Sequence, residues 1–210
     1  MSRAPFITFE GGEGAGKSTQ IRLLAAHLAT AGIRHIVTRE PGGSPGAEEI
    51  RQLLVTGAAD RWSALSETLL FYAARVDHWQ RVINPALETG TVVLCDRFAD
   101  STIAYQAYAG GMDRKQIETL HDLVLSGVQP DLTLILDLSP EAGLRRAVSR
   151  AGAEERFESK GIAFHERLRA GFLDIAARHA ARCVVIDANR PVDAVSEAVT
   201  ASVRQRLKLG

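Results

Sequence analysis

Nine consecutive residues, Gly11-Gly12-Glu13-Gly14-Ala15-Gly16-Lys17-Ser18-Thr19, carry the densest potential chemistry in the chain. They satisfy the spacing G-x-x-x-x-G-K-[ST] and lie between a short apolar run and a segment of helical period, the context that this pattern requires. Small residues let successive backbone N–H groups converge on phosphate oxygens. The helix N-terminus adds about half a positive charge, Lys17 neutralises more, and Ser18 can ligate magnesium. A nucleoside triphosphate is the ligand that such a loop suits, against the alternative of a glycine turn that merely precedes a helix. A dinucleotide fingerprint fails, because the glycines do not fit G-x-G-x-x-G. Glu13 would be repelled by phosphate. It therefore faces a sugar hydroxyl of a second substrate or, alternatively, solvent or an arginine.

Four further clusters could complete a two-substrate site. Thr38-Arg39-Glu40-Pro41-Gly42-Gly43 closes an apolar run, and Arg39 there can meet a phosphate or simply be exposed. In Phe71-Tyr72-Ala73-Ala74-Arg75, Phe71 and Arg75 project from one helix face one turn apart. They could stack on and read a planar base; equally, Phe71 could fill the core while Arg75 pairs with Asp77 or another acid. Val92-Val93-Leu94-Cys95-Asp96-Arg97-Phe98 ends a buried run in an acid and a base. Asp96 could orient hydrated magnesium and Arg97 could bridge two phosphates, or the two could form a structural ion pair. Ser101 and Tyr105, one turn apart, could line the same pocket, with Gln106 beside them. Finally Arg145, Arg146, Arg150 and Arg156 surround Ala151-Gly152-Ala153, a composition suited to an exposed loop that closes over a triphosphate or to a solvated helix end. Position 14 is glycine, so the phosphate loop itself supplies no arginine.

The elements that must position these residues alternate. Strands are expected at Phe6 to Phe9, Ile33 to Thr38, Thr91 to Cys95, Leu132 to Leu136 and Cys183 to Ile186. Helices are expected at Ser18 to Ala31, Ser63 to Glu88, Ser101 to Tyr108, Arg114 to Ser126, Pro140 to Arg150, Phe164 to Ala180 and Val192 to Leu207, with Pro140 and Pro191 in first-turn positions. This is the pattern of an α/β fold, a five-stranded parallel sheet with helices on both faces. No repeat or Pro/Ser-rich linker divides the 210 residues, so a single domain is expected.

Composition narrows the function. Twenty-five basic and twenty-five acidic residues cancel, leaving no global field for nucleic acid or an anionic membrane. Cys95 and Cys183 are far apart in apolar runs, which excludes a paired zinc motif or a disulfide scaffold and suits a reducing compartment. No run approaches the roughly 18 apolar residues of a membrane span, so a cytoplasmic protein is expected. The six histidines (27, 35, 78, 121, 165 and 179) lack metal-type spacing and are assigned surface or helix roles. No Ser-His-Asp or Cys-His arrangement stands out.

Together the clusters resemble the thymidylate kinase family. The resemblance rests on Phe9-Glu10 through Ser18, on Thr38 to Gly43, on Phe71 to Arg75 and on Asp96-Arg97-Phe98-Ala99-Asp100-Ser101-Thr102-Ile103-Ala104-Tyr105-Gln106. Pro130 to Leu134 and Glu155-Arg156-Phe157-Glu158 also look like family segments. The family implies a P-loop NTPase fold over residues 1–210 with an arginine-rich lid near 145–158. It implies ATP as phosphoryl donor with Mg2+, and dTMP as acceptor giving dTDP. Carried over by position, residues 11 to 19 and Arg146 would bind ATP. Phe71 would stack on thymine, Arg75 would read it, Ser101 would touch the base and Tyr105 would favour deoxyribose. Glu13 would take the 3′-hydroxyl, Arg39 and Arg97 the monophosphate, and Pro41 and Gln106 would line the same site. Ser18 and Asp96 would hold the metal, while Lys17, Arg97, Arg150 and Arg156 would serve the transfer itself. The family also implies a homodimer. Competing readings are another small-molecule P-loop kinase, in which a nucleoside acceptor would need Glu40 or Asp96 as base, and a nucleotide-binding switch. The switch reading lacks an Asn-Lys-x-Asp or Thr-Lys-x-Asp segment for guanine.

Overall fold

The computed structural model describes residues 3–58, 60–148 and 160–209. Five strands, β1 (Phe6–Glu10), β2 (His35–Arg39), β3 (Val92–Asp96), β4 (Leu132–Asp137) and β5 (Cys183–Asp187), form one parallel sheet in the order β2-β3-β1-β4-β5. Phe9 lies opposite Asp96 and Arg39 also lies opposite Asp96, so the C-terminal ends of β1, β2 and β3 are level.

Alternation along the strands divides the core. Ile7 and Phe9 pack with Leu24, Leu28, Leu134 and Leu136 on one face, beneath α1 (Lys17–Thr30) and the last helix. Phe6, Val93 and Cys95 pack with Tyr72, Ile83, Leu87, Phe98 and Ile117 on the other. Burying each such large apolar side chain is worth about 1.5–3 kcal/mol, so the sheet is a firm base for a polar site at its rim. A third cluster joins Tyr105 to Phe164, Phe172 and Ile175. The one polar side chain facing the core from mid-β1, Thr8, bonds to the hydroxyl of Thr133 at 2.9 Å.

The expected strands are all present, each within a few residues of its expected bounds. β2 starts later than expected because the Ile33 N–H closes the end of α1 through the Leu28 carbonyl at 2.9 Å. One helix was not expected: α2 (Pro45–Val55), with Pro45 in its first turn. The helix expected at Ser63 to Glu88 is interrupted. It runs as α3 (Ala64–His78), capped by the Ser63 hydroxyl accepting from the Ser66 N–H, then a π-helical turn Trp79–Ile83, then α4 (Asn84–Glu88). The segment after β3 likewise forms a short α5 (Ala99–Thr102) that widens into a π-helix over Ile103–Ala109. The remaining helices are α6 (Arg114–Leu125), α7 (Pro140–Val148), α8 (Ile162–Arg178) and α9 (Val192–Leu207). Pro140 opens α7 as expected, whereas Pro191 is the cap before α9. Most of the expected arginine-rich lid, with Arg150 and Arg156, lies outside the described residues. Among the described residues no helix is long and apolar enough to cross a membrane.

Candidate active site

The loop between β1 and α1 is shaped by glycine. Gly14 (φ +68) lies against α7 so closely that a side chain there would meet the Gly143 carbonyl, and one at Gly143 would meet the Glu13 carbonyl. Gly16 (φ +90) caps α1 and offers no side-chain acceptor to its first turn, which leaves the N-terminus of the helix open to an anion. Lys17 is buried and its Nζ donates to the Gly11 and Gly12 carbonyls, each at 3.1 Å. Burial, and next the charge of Arg97, pull its ammonium below the usual lysine range. A cation seated behind main-chain oxygens and short of solvation is poised to prefer an anion.

Arg97 links this loop to the end of β3. Its backbone is left-handed at φ +70, a conformation that costs about 1 kcal/mol or more in a residue with a side chain and persists only when its surroundings hold it. The Arg97 N–H donates to the Phe9 carbonyl at 2.9 Å, its carbonyl accepts from Cys95 Sγ at 3.1 Å, and its guanidinium makes four further hydrogen bonds. Nη1 donates to the Gly11 carbonyl and to Ser101 Oγ, both at 3.1 Å. Nη2 donates to Glu13 Oε1 at 2.9 Å and to the Tyr105 hydroxyl at 3.0 Å. Tyr105 in turn donates to Glu13 Oε1 at 2.5 Å. Glu13 is thus ion-paired with Arg97. Burial pushes the Glu13 carboxyl up, but Arg97, then Lys17 and the tyrosine bond, overcome it and bring the group down to about 2. Asp96 is not the partner of Arg97.

Asp96 instead accepts from Ser18 Oγ through Oδ2 at 3.1 Å, while its Oδ1 is buried without a hydrogen-bond partner. A carboxylate oxygen orphaned in the interior calls for a partner, and a hydroxyl with a carboxylate is an all-oxygen donor pair suited to a hard divalent ion. The two residues therefore fit magnesium. Among the described residues no group of three or more His, Cys, Asp or Glu could hold a metal, so such an ion would need most of its ligands from phosphate and water.

On the β2 side, Arg75 is fully buried. Its Nε donates to Glu40 Oε2 at 2.7 Å and its Nη2 to the Phe98 carbonyl at 3.1 Å and Thr102 Oγ1 at 3.0 Å, and Nη1 is buried without a partner. Its acid is thus Glu40, whereas Asp77 is held by Arg81 and Ser44. Gln106 is arranged alike: Nε2 donates to Glu67 Oε1 at 2.9 Å, and Oε1 is buried without a partner. Phe71 is half-buried, one turn from Arg75 on α3. Arg39 is exposed and gives Nη2 to both oxygens of Glu48 at 3.0 Å, and the Pro41 carbonyl accepts from Arg51 at 2.6 Å. Arg146 reaches the other end of the site, donating to the Ala188 carbonyl beyond β5 at 3.3 Å. The phosphate loop, Asp96, Arg97, Ser101 and Tyr105 are therefore in direct contact, and Arg75 joins them through Phe98.

Two groups at the site escaped sequence reasoning. Glu10, at the end of β1, accepts from the Phe98 N–H at 2.8 Å and from Ser101 Oγ at 2.5 Å. Burial, and next the charge of Asp100, raise its carboxyl to about 7. Its signal was an acid terminating an apolar strand, the feature that marked Asp96. His78 is the other; it sits on a helix as expected but is fully buried, as are His121 and His165 nearly so, so a surface role does not apply to these three.

The chain is similar to known proteins over its whole length. The thymidylate kinase family model matches residues 9–199. The thymidylate kinase of Caulobacter vibrioides is 64% identical over 209 residues, covering 100% of both chains, and that of Ruegeria pomeroyi is 55% identical over 96% of this chain and 95% of its own. Among solved structures, the thymidylate kinase of Ehrlichia chaffeensis superposes with a TM-score of 0.78 at 38% identity, covering 96% of this chain and 99% of that one. The chain, whose phosphate loop is joined by Arg97 to Glu13, Ser101 and Tyr105 and which matches these enzymes from end to end, belongs to the thymidylate kinase family.

Proposed function

We propose that the protein transfers the γ-phosphoryl group of ATP to the phosphate of dTMP, yielding dTDP and ADP. The observation that carries this reading is Arg97, whose guanidinium spans the Gly11 carbonyl of the phosphate loop and the Glu13–Tyr105 pair. It stands where a donor's triphosphate would end and an acceptor's phosphate would begin. The acceptor phosphate is already anionic near neutral pH, since the second ionisation of a monoester has a pKa of about 6. Its oxygen bonds to the γ-phosphorus as the bridging bond to the β-phosphate breaks, and no general base is needed. The barrier is anion repulsion and alignment, which fixed cations and close positioning lower.

In this reading the loop N–H groups and Lys17 hold the triphosphate, with Thr19 in the first turn of α1 and Arg146 toward the adenine. Ser18 and Asp96 would hold magnesium, which when bound neutralises charge on the transferred group and the leaving diphosphate. Arg39 and Arg97 hold the acceptor phosphate; Arg39 must leave Glu48 to do so. Phe71 stacks on the base, the unpartnered Nη1 of Arg75 meets a base carbonyl, and Ser101, Gln106 and Pro41 complete the pocket. Tyr105 and Glu13 define the sugar edge, Tyr105 against a 2′-hydroxyl and Glu13 toward the 3′-hydroxyl. Arg150 and Arg156 would supply charge from the segment beyond α7. Glu40, committed to Arg75 and His78, is not available as a base for a nucleoside acceptor. The chain acts as one kinase domain over residues 1–210 in the cytoplasm and as a homodimer. The exposed Leu65 and Leu69, four residues apart on α3, offer an apolar strip for a second copy to cover.

An assay that couples ADP release to a visible readout, with ATP, Mg2+ and a panel of nucleoside monophosphates, tests the reading. The expected result is ADP release stimulated most by dTMP. Release unaffected by any monophosphate would overturn it.

A further inference from the structure

Arg75 can present a free nitrogen to a ligand only if the rest of its guanidinium is held still, and the hold begins with an imidazole that the reaction does not use. His78 lies one turn after Arg75 on α3 and is fully buried. Its Nδ1 is 3.2 Å from Glu40 Oε1, and its Nε2 is 2.7 Å from Thr38 Oγ1. The other oxygen of Glu40 takes Arg75 Nε at 2.7 Å. A carboxylate oxygen accepts, so Nδ1 is the donor to Glu40, and the Thr38 hydroxyl, which can give or take a proton, matches Nε2. Every polar atom along Thr38–His78–Glu40 thus has a partner of the right kind, and the series ends on Arg75 Nη1, which has none.

The surroundings leave this arrangement little freedom. Gly43 (φ +89) passes so close that a side chain there would collide with both His78 Nε2 and Thr38 Oγ1. The loop after β2 therefore leaves room for no more than a glycine beside the histidine–threonine pair, while Tyr72 and Phe98 flank the Arg75 guanidinium at 4.8 and 5.3 Å. A buried arginine–carboxylate pair is sound only when the remaining lone pairs are also satisfied, and His78 satisfies the oxygen that Arg75 leaves over.

We infer that His78 is a positioning residue for acceptor recognition: through Glu40 it fixes the plane of the Arg75 guanidinium so that Nη1 addresses the acceptor's base. This rests on the assignment of Arg75 under the proposed function. It touches neither nucleotide, so its effect belongs to the KM for the acceptor, with turnover at saturation and the KM for ATP spared.

The test uses side chains that copy one ring nitrogen at a time. In His78→Asn the amide replaces Nδ1 and can still donate to Glu40; in His78→Gln it replaces Nε2 and keeps only Thr38. His78→Gln is expected to raise the KM for dTMP about tenfold, the consequence of losing one hydrogen bond to a charged group, with kcat and the ATP KM within about twofold. His78→Asn is expected to restore most of the acceptor KM. Thr38→Val, which loosens the ring without altering the buried imidazole, is expected to raise the dTMP KM about threefold and serves if His78→Gln does not fold. Equal effects of His78→Asn and His78→Gln, or an ATP KM that rises in step with that for dTMP, would overturn the inference. Arg75→Lys measured alongside separates the two levels. An unchanged dTMP KM there overturns the assignment of Arg75 and the relay with it, whereas a raised KM there, with both His78→Gln and Thr38→Val at parental values, overturns the relay alone.

Discussion

Replacing Glu10 by glutamine should stabilise the protein in alkaline but not in acidic buffer. Glu10 is fully buried and its carboxyl is raised from 4.5 to about 7, first by burial and next by Asp100. A raised folded-state value means that the folded chain holds the proton more tightly than the unfolded one. Stability is therefore highest below pH 4.5 and falls as pH climbs to about 7, beyond which it levels off. Each tenfold gain in proton affinity is worth about 1.4 kcal/mol, so the full cost is about 3 kcal/mol above pH 7 and about 1 kcal/mol at pH 5. Glutamine is nearly isosteric: its carbonyl can accept from the Phe98 N–H and its amide can donate to Ser101 Oγ, at no cost in buried charge. Other groups titrate in the same range. His121 and His179 are lowered by burial and so favour the folded state as pH rises to 6.5, the opposite sense, but they contribute equally to parent and variant. Urea unfolding of both proteins at pH 5 and pH 8 isolates the Glu10 contribution. The advantage of Glu10→Gln should grow by about 2 to 3 kcal/mol between the two, and an advantage that stays constant across that range would refute the burial argument.

Further outcomes are expected. Arg97→Ala should lower kcat by about 10³, read by steady-state turnover, and near-parental turnover would remove Arg97 from the mechanism. Tyr105→Ala should lower the preference for dTMP over its ribonucleotide counterpart about tenfold, because the ring at the sugar edge is gone; an unchanged ratio of kcat/KM values counts against that role. Gly14→Ala combines a left-handed backbone with a collision against the Gly143 carbonyl. It should cost about 2 kcal/mol in stability and raise the KM for ATP, whereas a melting temperature and KM at parental values would show that the loop does not rest on α7 as described. For Glu13, held down to about 2 chiefly by Arg97 against the push of burial, the sign reverses relative to Glu10. Its stabilisation is present above pH 4.5 and lost as pH falls toward 2, and Arg97→Ala should reduce that acid sensitivity in unfolding experiments.

Much of this is legible from residue type and spacing. Buried strands announce themselves as apolar runs, and an acid or base at the end of one stands out because it has no structural reason to be there; Asp96 and Arg97 are conspicuous for that reason. Glu10 satisfies the same criterion but is overshadowed by the glycines that follow it. α2 is overlooked although both of its marks are in the sequence: Ala47, Ile50 and Leu54 keep the i, i+3, i+7 spacing, and Ser44-Pro45 with Glu48 in the first turn is a start signal. The π-helical stretches carry no periodic mark at all, yet the one over Ile103–Ala109 holds both Tyr105 and Gln106. Pairings across the fold are also out of reach. Arg75 has Asp77 two residues away, and only the meeting of α3 with the end of β2 makes Glu40 its partner and draws His78 into the same group.

The pairing of Phe9 with Asp96 sets a ruler beneath the reaction. Adjacent strands stand about 4.8 Å apart, so the gap between the loop that would carry the donor and the aspartate–arginine corner that would meet the acceptor is gauged by a backbone ladder rather than by the length of any side chain. A substitution on the surface leaves that gauge untouched.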